Sequence, residues 1–206
     1  MIVIDLEFTG LDPETHSIIS LAAVDFEHPT NTLYLECKPR PGSEWDEQAA
    51  TAHGFTQEYL SKLHLSEKQL LEQFFQWAEK IPNRTLAGQS MAWDMLFLWK
   101  GALRYHLKWP FMNKMIELHT LAWLRHLENN HHIQLKGGVH KLGLDDICEF
   151  VGLVRRAGAH NALDDAKRAA ECFSRLLYEK GLLAEFSDYP VAKWKQPVKR
   201  FFSKDK

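Results

Sequence analysis

The residues IVIDLEF (Ile2–Phe8) alternate strictly, with Ile2, Ile4, Leu6 and Phe8 on one side and Val3, Asp5 and Glu7 on the other. That two-residue period is the signature of a strand. Two acids therefore share one face of the most hydrophobic strand in the chain. Leu11-Asp12-Pro13 reads as a turn, and the apolar run 17–26 followed by 32–37 predicts two more strands joined by a loop holding Pro29. An antiparallel meander follows. Ser66 and Gln69 match a capping box, and Leu70, Leu71, Phe74, Phe75 and Ala78 form a helical stripe that stops near Pro82. Residues 85–87 suit a short strand. Residues 91–107 are apolar on nearly every side, which predicts a helix buried among neighbours with Asp94 inside it rather than at its start. A helix is expected at about 119–127, and 129–138 (NNHHIQLKGG) is a polar, glycine-containing loop expected to be the most mobile. Two helices at 142–151 and 162–180 close the chain, the second stopped by Gly181. Strands first, helices afterwards and a late strand between them predict an α/β or α+β layered domain.

Composition narrows this only slightly. A chain of 206 residues with 45% hydrophobic and 25% charged residues fits one globular domain and excludes disorder as the main state. No run nears the ~18 apolar residues needed to cross a bilayer, and the start lacks a charged signal segment, so a cytoplasmic protein without membrane partners is expected. Cys37, Cys148 and Cys172 form no CxxC pair and read as reduced, structural thiols. Net charge is −2, but from 193 onward six basic residues face one acid, a local +5 that leaves −7 for the rest. That tail could hold a polyanion or be simply solvated. Pro197 argues against a helix through it.

The carboxylates change the picture most. A bare acid at Asp5 or Glu7 would be costly unless that face is wet, and like charges two residues apart repel unless a cation lies between them or one is protonated. Asp94 shares a helical face with Met91, Phe97, Leu98 and Gly101 and needs a partner there. In the last helix, Ala162, Asp165, Ala166, Ala169, Ala170, Phe173, Leu176 and Leu177 form the inward stripe, whereas Asp164, Arg168, Glu171 and Arg175 line an opposite, charged face. Asp165 is then the inward acid and Asp164 a surface ion-pair residue. His160, alone, would read as a surface histidine; here it lies five residues before an inward carboxylate. Four carboxylates from three segments are best explained if they meet around divalent cations, and oxygen ligands favour Mg²⁺ or Mn²⁺. Two such ions ~3.5–4 Å apart suit in-line displacement at phosphorus, with a neutral histidine to accept the proton of water. His131, His132 and His140, flanked by Asn and Gly, read as an exposed loop rather than a zinc site.

These motifs, DLEFTG with Asp5 and Glu7, AGQSMAWDMLFL with Asp94, and HNALDDA with His160 and Asp165, resemble those of the DEDDh 3′–5′ exonuclease superfamily. The likeness is to the RNase T and DNA polymerase III epsilon type, with some likeness to oligoribonuclease. With the segment around His53-Gly54 it extends over 1–177. The resemblance implies an RNase H-like α/β fold, a mixed sheet flanked by helices, in an exonuclease domain at 1–180 followed by an extension at 181–206. Asp5, Glu7 and Asp165 would hold two Mg²⁺ or Mn²⁺ ions, Asp94 would complete the cluster partly through water, and His160 would be the general base. Phe8, Thr9, Gly10 and Leu11 would line the pocket for the 3′-terminal nucleotide, and His53 and Trp93 would contact it or stack on its base. Gln89-Ser90 stand where many relatives have His-Asn, and His119-Thr120 where they have an Asp-Thr pair, departures that touch substrate choice. The implied activity is metal-dependent release of 5′-mononucleotides from 3′ ends of single-stranded DNA or RNA. The alternative is a proofreading or processing subunit that acts mainly by binding a polymerase or other protein. A homodimer and a protein partner at the C-terminal tail are the assemblies the resemblance leaves open.

Overall fold

The computed structural model describes residues 1–129, 133–156 and 158–194. Its elements are β1 (Ile2–Phe8), β2 (Ile18–Asp25), β3 (Thr32–Glu36), α1 (Glu47–His53), α2 (Gln57–Ser61), α3 (Glu67–Ala78), β4 (Leu86–Gly88), α4 (Ala92–Arg104), β5 (Met115–Glu117), α5 (Leu118–Glu128), β6 (Leu135–Lys136), β7 (Val139–His140), α6 (Leu144–Phe150) and α7 (Ala162–Tyr178). The expected meander is present, β1 and β3 each pairing antiparallel with β2. On the other side of β1, β4 and then β5 add in parallel, giving the order β3-β2-β1-β4-β5. The strand that carries Asp5 and Glu7 is thus central. Gly88 permits this closeness, since a Cβ there would meet the Ile4 carbonyl at 2.7 Å.

Both faces of the sheet are covered. Ile2, Ile4 and Leu6 pack with Leu70, Phe74 and Leu98 of α3 and α4. Val3, Ala22 and Val24 pack against the α5–α7 layer through Leu118, Ile147 and Phe173. Asp5 and Glu7, on the Val3 side of β1, are consequently directed at that second layer. The register slips between Glu7 and Phe8, where β2 contributes an extra residue. Such bulges re-aim side chains at the ends of strands.

The structure corrects several expectations. Asp94 lies in the first turn of α4, not inside it. That helix is not covered all round: Trp93, Leu96, Trp99 and Leu103 remain exposed while Met91, Asp94, Phe97, Leu98 and Gly101 turn inward. An apolar circumference does not require a buried one. The stop of α7 is Glu179, in the left-handed conformation at φ 54°, rather than Gly181. The charged face of α7 is only partly wet. Glu171 and Arg175 are 0% and 1% exposed and pair at 2.6 Å. Glu171 accepts from the Leu182 and Leu183 amides, and Arg175 donates to the carbonyls of Val151, Phe186, Tyr189 and Pro190. The chain beyond α7 folds back over this face and uses its charges to satisfy otherwise bare backbone groups. Two short helices, α1 and α2, the edge strand β5 and the β6–β7 hairpin, which begins in the predicted loop and ends just past it, were not anticipated. His131, His132 and the tail from 195 lie outside the described residues. Among the described residues no helix is long and apolar enough to cross a membrane. The three cysteines are free and buried, as expected.

Candidate active site

Asp165 rises from the first turn of α7, where the helix dipole favours an acid and Asn161 caps the end by accepting from the Leu163 and Asp164 amides. Asp164, its neighbour in the chain, points to solvent and pairs with Arg168 at 2.7 Å, while Asp165 is 2% exposed. Ligand atoms of Glu7, His160 and Asp165 all lie within 4.8 Å of one another. His160 Nδ1 sits 3.3 Å from Asp165 Oδ2, and its backbone amide donates to the Ala52 carbonyl, which ties the end of α1 to the histidine. Asp5, His160 and Asp165 line one cleft of about 390 Å³ together with Gln89, Asp145 and Arg156. Asp94 is buried, hydrogen-bonded by its own amide and that of Leu6, and close enough to Asp5 for the two carboxylates to repel. All five residues expected to carry the chemistry therefore gather at one place.

The electrostatics of this cluster are those of a site built for cations. Burial first, then repulsion by Asp94, Asp165 and Glu7, holds the Asp5 carboxyl well above its ordinary range. Burial pushes Glu7 up to about 7 and Asp94 up to about 8. The hydrogen bond to Asp165 raises His160. Glu7 Oε1 is buried without a hydrogen-bond partner, an arrangement that is costly unless something electropositive meets it. Oxygen donors, repulsion and an orphaned carboxylate oxygen all fit a divalent metal ion.

The residues expected around the terminal nucleotide are placed differently from one another. Phe8 stacks on Phe97 with centroids 4.0 Å apart. Leu11 and Trp93 are apolar residues 57% and 43% exposed, Leu11 following the end of β1 and Trp93 standing one position before Asp94 in the chain. Gly10 is required by its neighbour, because a Cβ there would collide with the His16 ring. Thr9 is buried with its polar atoms consumed by the fold. Its amide donates to the Ser17 carbonyl, its hydroxyl accepts from the Ser17 amide and its carbonyl accepts from the Asp46 amide. It borders a separate cavity of about 350 Å³ with Lys38, Arg40 and Trp45 rather than the acidic cleft. His53 is buried at the end of α1, with Nδ1 accepting from the Phe55 amide, Trp45 edge-on and Nε2 unpartnered. Burial lowers its pKa.

Three contacts around the cluster have no signal in the pattern of the sequence. Glu117 accepts from the amides of Ser90 and Met91, each at 2.8 Å, and so fixes the turn into α4 that carries Asp94. Ser90 there takes a left-handed φ of 58°, a strained state for a residue with a Cβ. Gln89 donates to the Leu142 carbonyl at 2.9 Å, joining the end of β4 to the start of α6. Arg156 reaches into the cluster and donates to both oxygens of Asp165.

Comparison with known proteins agrees with this geometry. The exonuclease model of the RNase T family matches residues 2–173. The DNA polymerase III subunit epsilon of Aquifex aeolicus is 30% identical over 188 residues, covering 91% of this chain and 85% of that protein. The oligoribonuclease of Vibrio parahaemolyticus is 30% identical over 167 residues, covering 73% of this chain and 89% of that protein. In fold, the nuclease domain of 3′hExo, a DEDDh family member solved bound to rAMP, superposes with a TM-score of 0.66 at 19% identity over 94% of this chain and 96% of that one. Exonuclease I of Methylocaldum szegediense gives 0.70 at 19% identity over 87% of this chain and 40% of that one. The sheet and its flanking helices are thus the expected RNase H-like exonuclease fold.

Proposed function

Because this chain belongs to the RNase T exonuclease family, we propose that it removes 5′-mononucleotides from 3′ ends of single-stranded DNA or RNA with two divalent cations, Mg²⁺ or Mn²⁺. The observation that carries the proposal is the convergence of Glu7, His160 and Asp165 within 4.8 Å, in a cleft that Asp5 also lines. Asp5, Glu7 and Asp165 would hold the cations, with Asp94 completing the charge of the cluster. Bound there, the cations supply Lewis acidity at phosphorus and neutralise charge on the leaving oxygen.

His160 carries the proton step. Its Nδ1 faces a carboxylate oxygen, which requires the proton on that nitrogen and leaves Nε2 as the basic one. The ring is thereby oriented to accept a proton from the attacking water. Leu11 and Trp93 offer exposed apolar surface to the terminal base, contact that is tolerant of sequence. Phe8, stacked on Phe97, Thr9, tied to Ser17 and Asp46, and Gly10, packed under the His16 ring, would fix the chain that carries Leu11, and His53 would turn its Nε2 toward the terminal nucleotide.

The likeness to an epsilon subunit over 91% of the chain supports a second reading, a proofreading or processing subunit that works chiefly by binding a polymerase or another protein. Cleavage by the chain alone tests the first reading. The purified chain is incubated with Mg²⁺ or Mn²⁺ and 5′-labelled single-stranded DNA and RNA of matched sequence. A ladder shortening from the 3′ end and stopped by chelator is expected; intact substrates under both metals would refute the nuclease reading.

A further inference from the structure

Arg156 has no part in the function proposed above, yet its guanidinium is seated on a carboxylate of the acidic cluster. Its side chain is 9% exposed, and its Nη1 donates to both oxygens of Asp165. On its other side, Nε lies 3.5 Å from Asp145 Oδ2, and the Arg156 amide donates to Asp145 Oδ1 at 3.5 Å. Asp145 belongs to the first turn of α6 and is more open than Asp165, at 21% exposure of its side chain. The guanidinium thus stands between a carboxylate of the cluster and one at its rim.

These two partners are not equivalent once a cation enters. A guanidinium that spans both oxygens of Asp165 uses the lone pairs a divalent cation would need, and the two positive charges repel at contact distance. Arg156 cannot lose its proton to relieve this. It can only move, and Asp145 is already within reach of its Nε.

Resting on the assignment of Asp165 as a metal ligand, we propose that Arg156 is an exchangeable counter-ion that holds Asp165 until a divalent cation takes its place, and then passes to Asp145. The chain's own arginine thereby competes with the metal and sets the concentration at which the site loads. Neutralising buried carboxylates is what either cation accomplishes, so the exchange keeps the cluster from standing uncompensated.

The test is Mn²⁺ binding to the full chain without nucleic acid, followed by calorimetry or by loss of the free Mn²⁺ spin signal. Arg156→Gln removes the competitor, and its Mn²⁺ affinity rises on the order of tenfold. Arg156→Lys, a point charge without the planar fork, gives an intermediate affinity and serves as the decisive variant if Arg156→Gln does not fold. Asp145→Asn removes the second berth and weakens Mn²⁺ binding several-fold, although Asp145 is not a ligand. Melting in chelator supplies an independent readout, with Arg156→Gln melting below the parent there and recovering with saturating Mn²⁺. Unchanged or weaker Mn²⁺ affinity in both arginine variants would overturn the competition, and an unchanged Asp145→Asn would overturn the transfer. Either failure leaves metal uptake and substrate cleavage by the unsubstituted chain intact, whereas failure of the nuclease reading removes those first.

Discussion

Replacing Glu7 by glutamine should make the cation-stripped protein more stable while destroying its use. Glu7 is pushed by burial to about 7 from an ordinary value near 4.5. A carboxyl with a raised folded value binds more protons folded than unfolded, so its contribution is full below about pH 4.5 and is lost as pH rises through about 7. At 1.36 kcal/mol per decade of proton affinity, ionising Glu7 costs about 3 kcal/mol at pH 8. For a chain of this size that corresponds to roughly 6–12 °C in melting temperature. His160, raised by Asp165, loses stability in the same direction, and His53, lowered by burial, gains it as pH rises toward its ordinary value. The His53 contribution cancels in the difference between the parent and Glu7→Gln, the quantity to measure, whereas that of His160 cancels only in part because Glu7 itself helps to raise it. Thermal melts in chelator from pH 5 to 8.5 at constant ionic strength should show the two proteins closest at the acid end and the variant several degrees higher at pH 8. Saturating Mn²⁺ at pH 8 should then reverse the order, since only the parent keeps its ligand and gains by mass action. A variant that melts below the parent at pH 8 in chelator, or a gap that does not change with pH, would refute the claim that Glu7 is held against its own charge.

Three further outcomes are expected. Asp165→Asn abolishes cleavage of a labelled oligonucleotide, whereas Asp164→Asn, which loses only a solvent-facing pair with Arg168, stays within about twofold of the parent; equal rates would contradict the assignment of the inward face. His160→Ala lowers turnover by roughly 10²- to 10⁴-fold with little change in KM, the range for a lost general base, and steady-state kinetics would read both. Glu171→Ala leaves Arg175 buried and uncompensated and strips the Leu182 and Leu183 amides of their acceptor, so denaturant melts should show a loss of about 3–5 kcal/mol.

Why the cluster can be read from the chain, while its surroundings cannot, follows from what periodicity measures. Alternation in β1 places Asp5 and Glu7 on one face, and the 3.6-residue stripe of α7 separates Asp165 from Asp164, because each is a local property of one element. Periodicity does not say what covers a face. Glu171 and Arg175 stand on the polar side of α7 by pattern, yet the returning segment at 182–190 buries them, and only the tertiary path reveals that. The helices α1 and α2 are too short and polar to show a stripe; their signals are the caps Asp46 and Thr56 and the left-handed Gly54. β5 has three residues at a sheet edge, two of them exposed, so it carries no alternation to read. Glu117 and Arg156 are a different kind of omission. Arg156 stands on irregular backbone and Glu117 ends a three-residue edge strand, so neither belongs to a run long enough to show a period. Four carboxylates pointing inward demand positive charge from somewhere, but Lys167 and Arg168 lie closer to Asp165 along the chain than Arg155 and Arg156 do. Charge balance thus calls for a cation, and only the tertiary path shows that Arg156, rather than a nearer basic residue, supplies it.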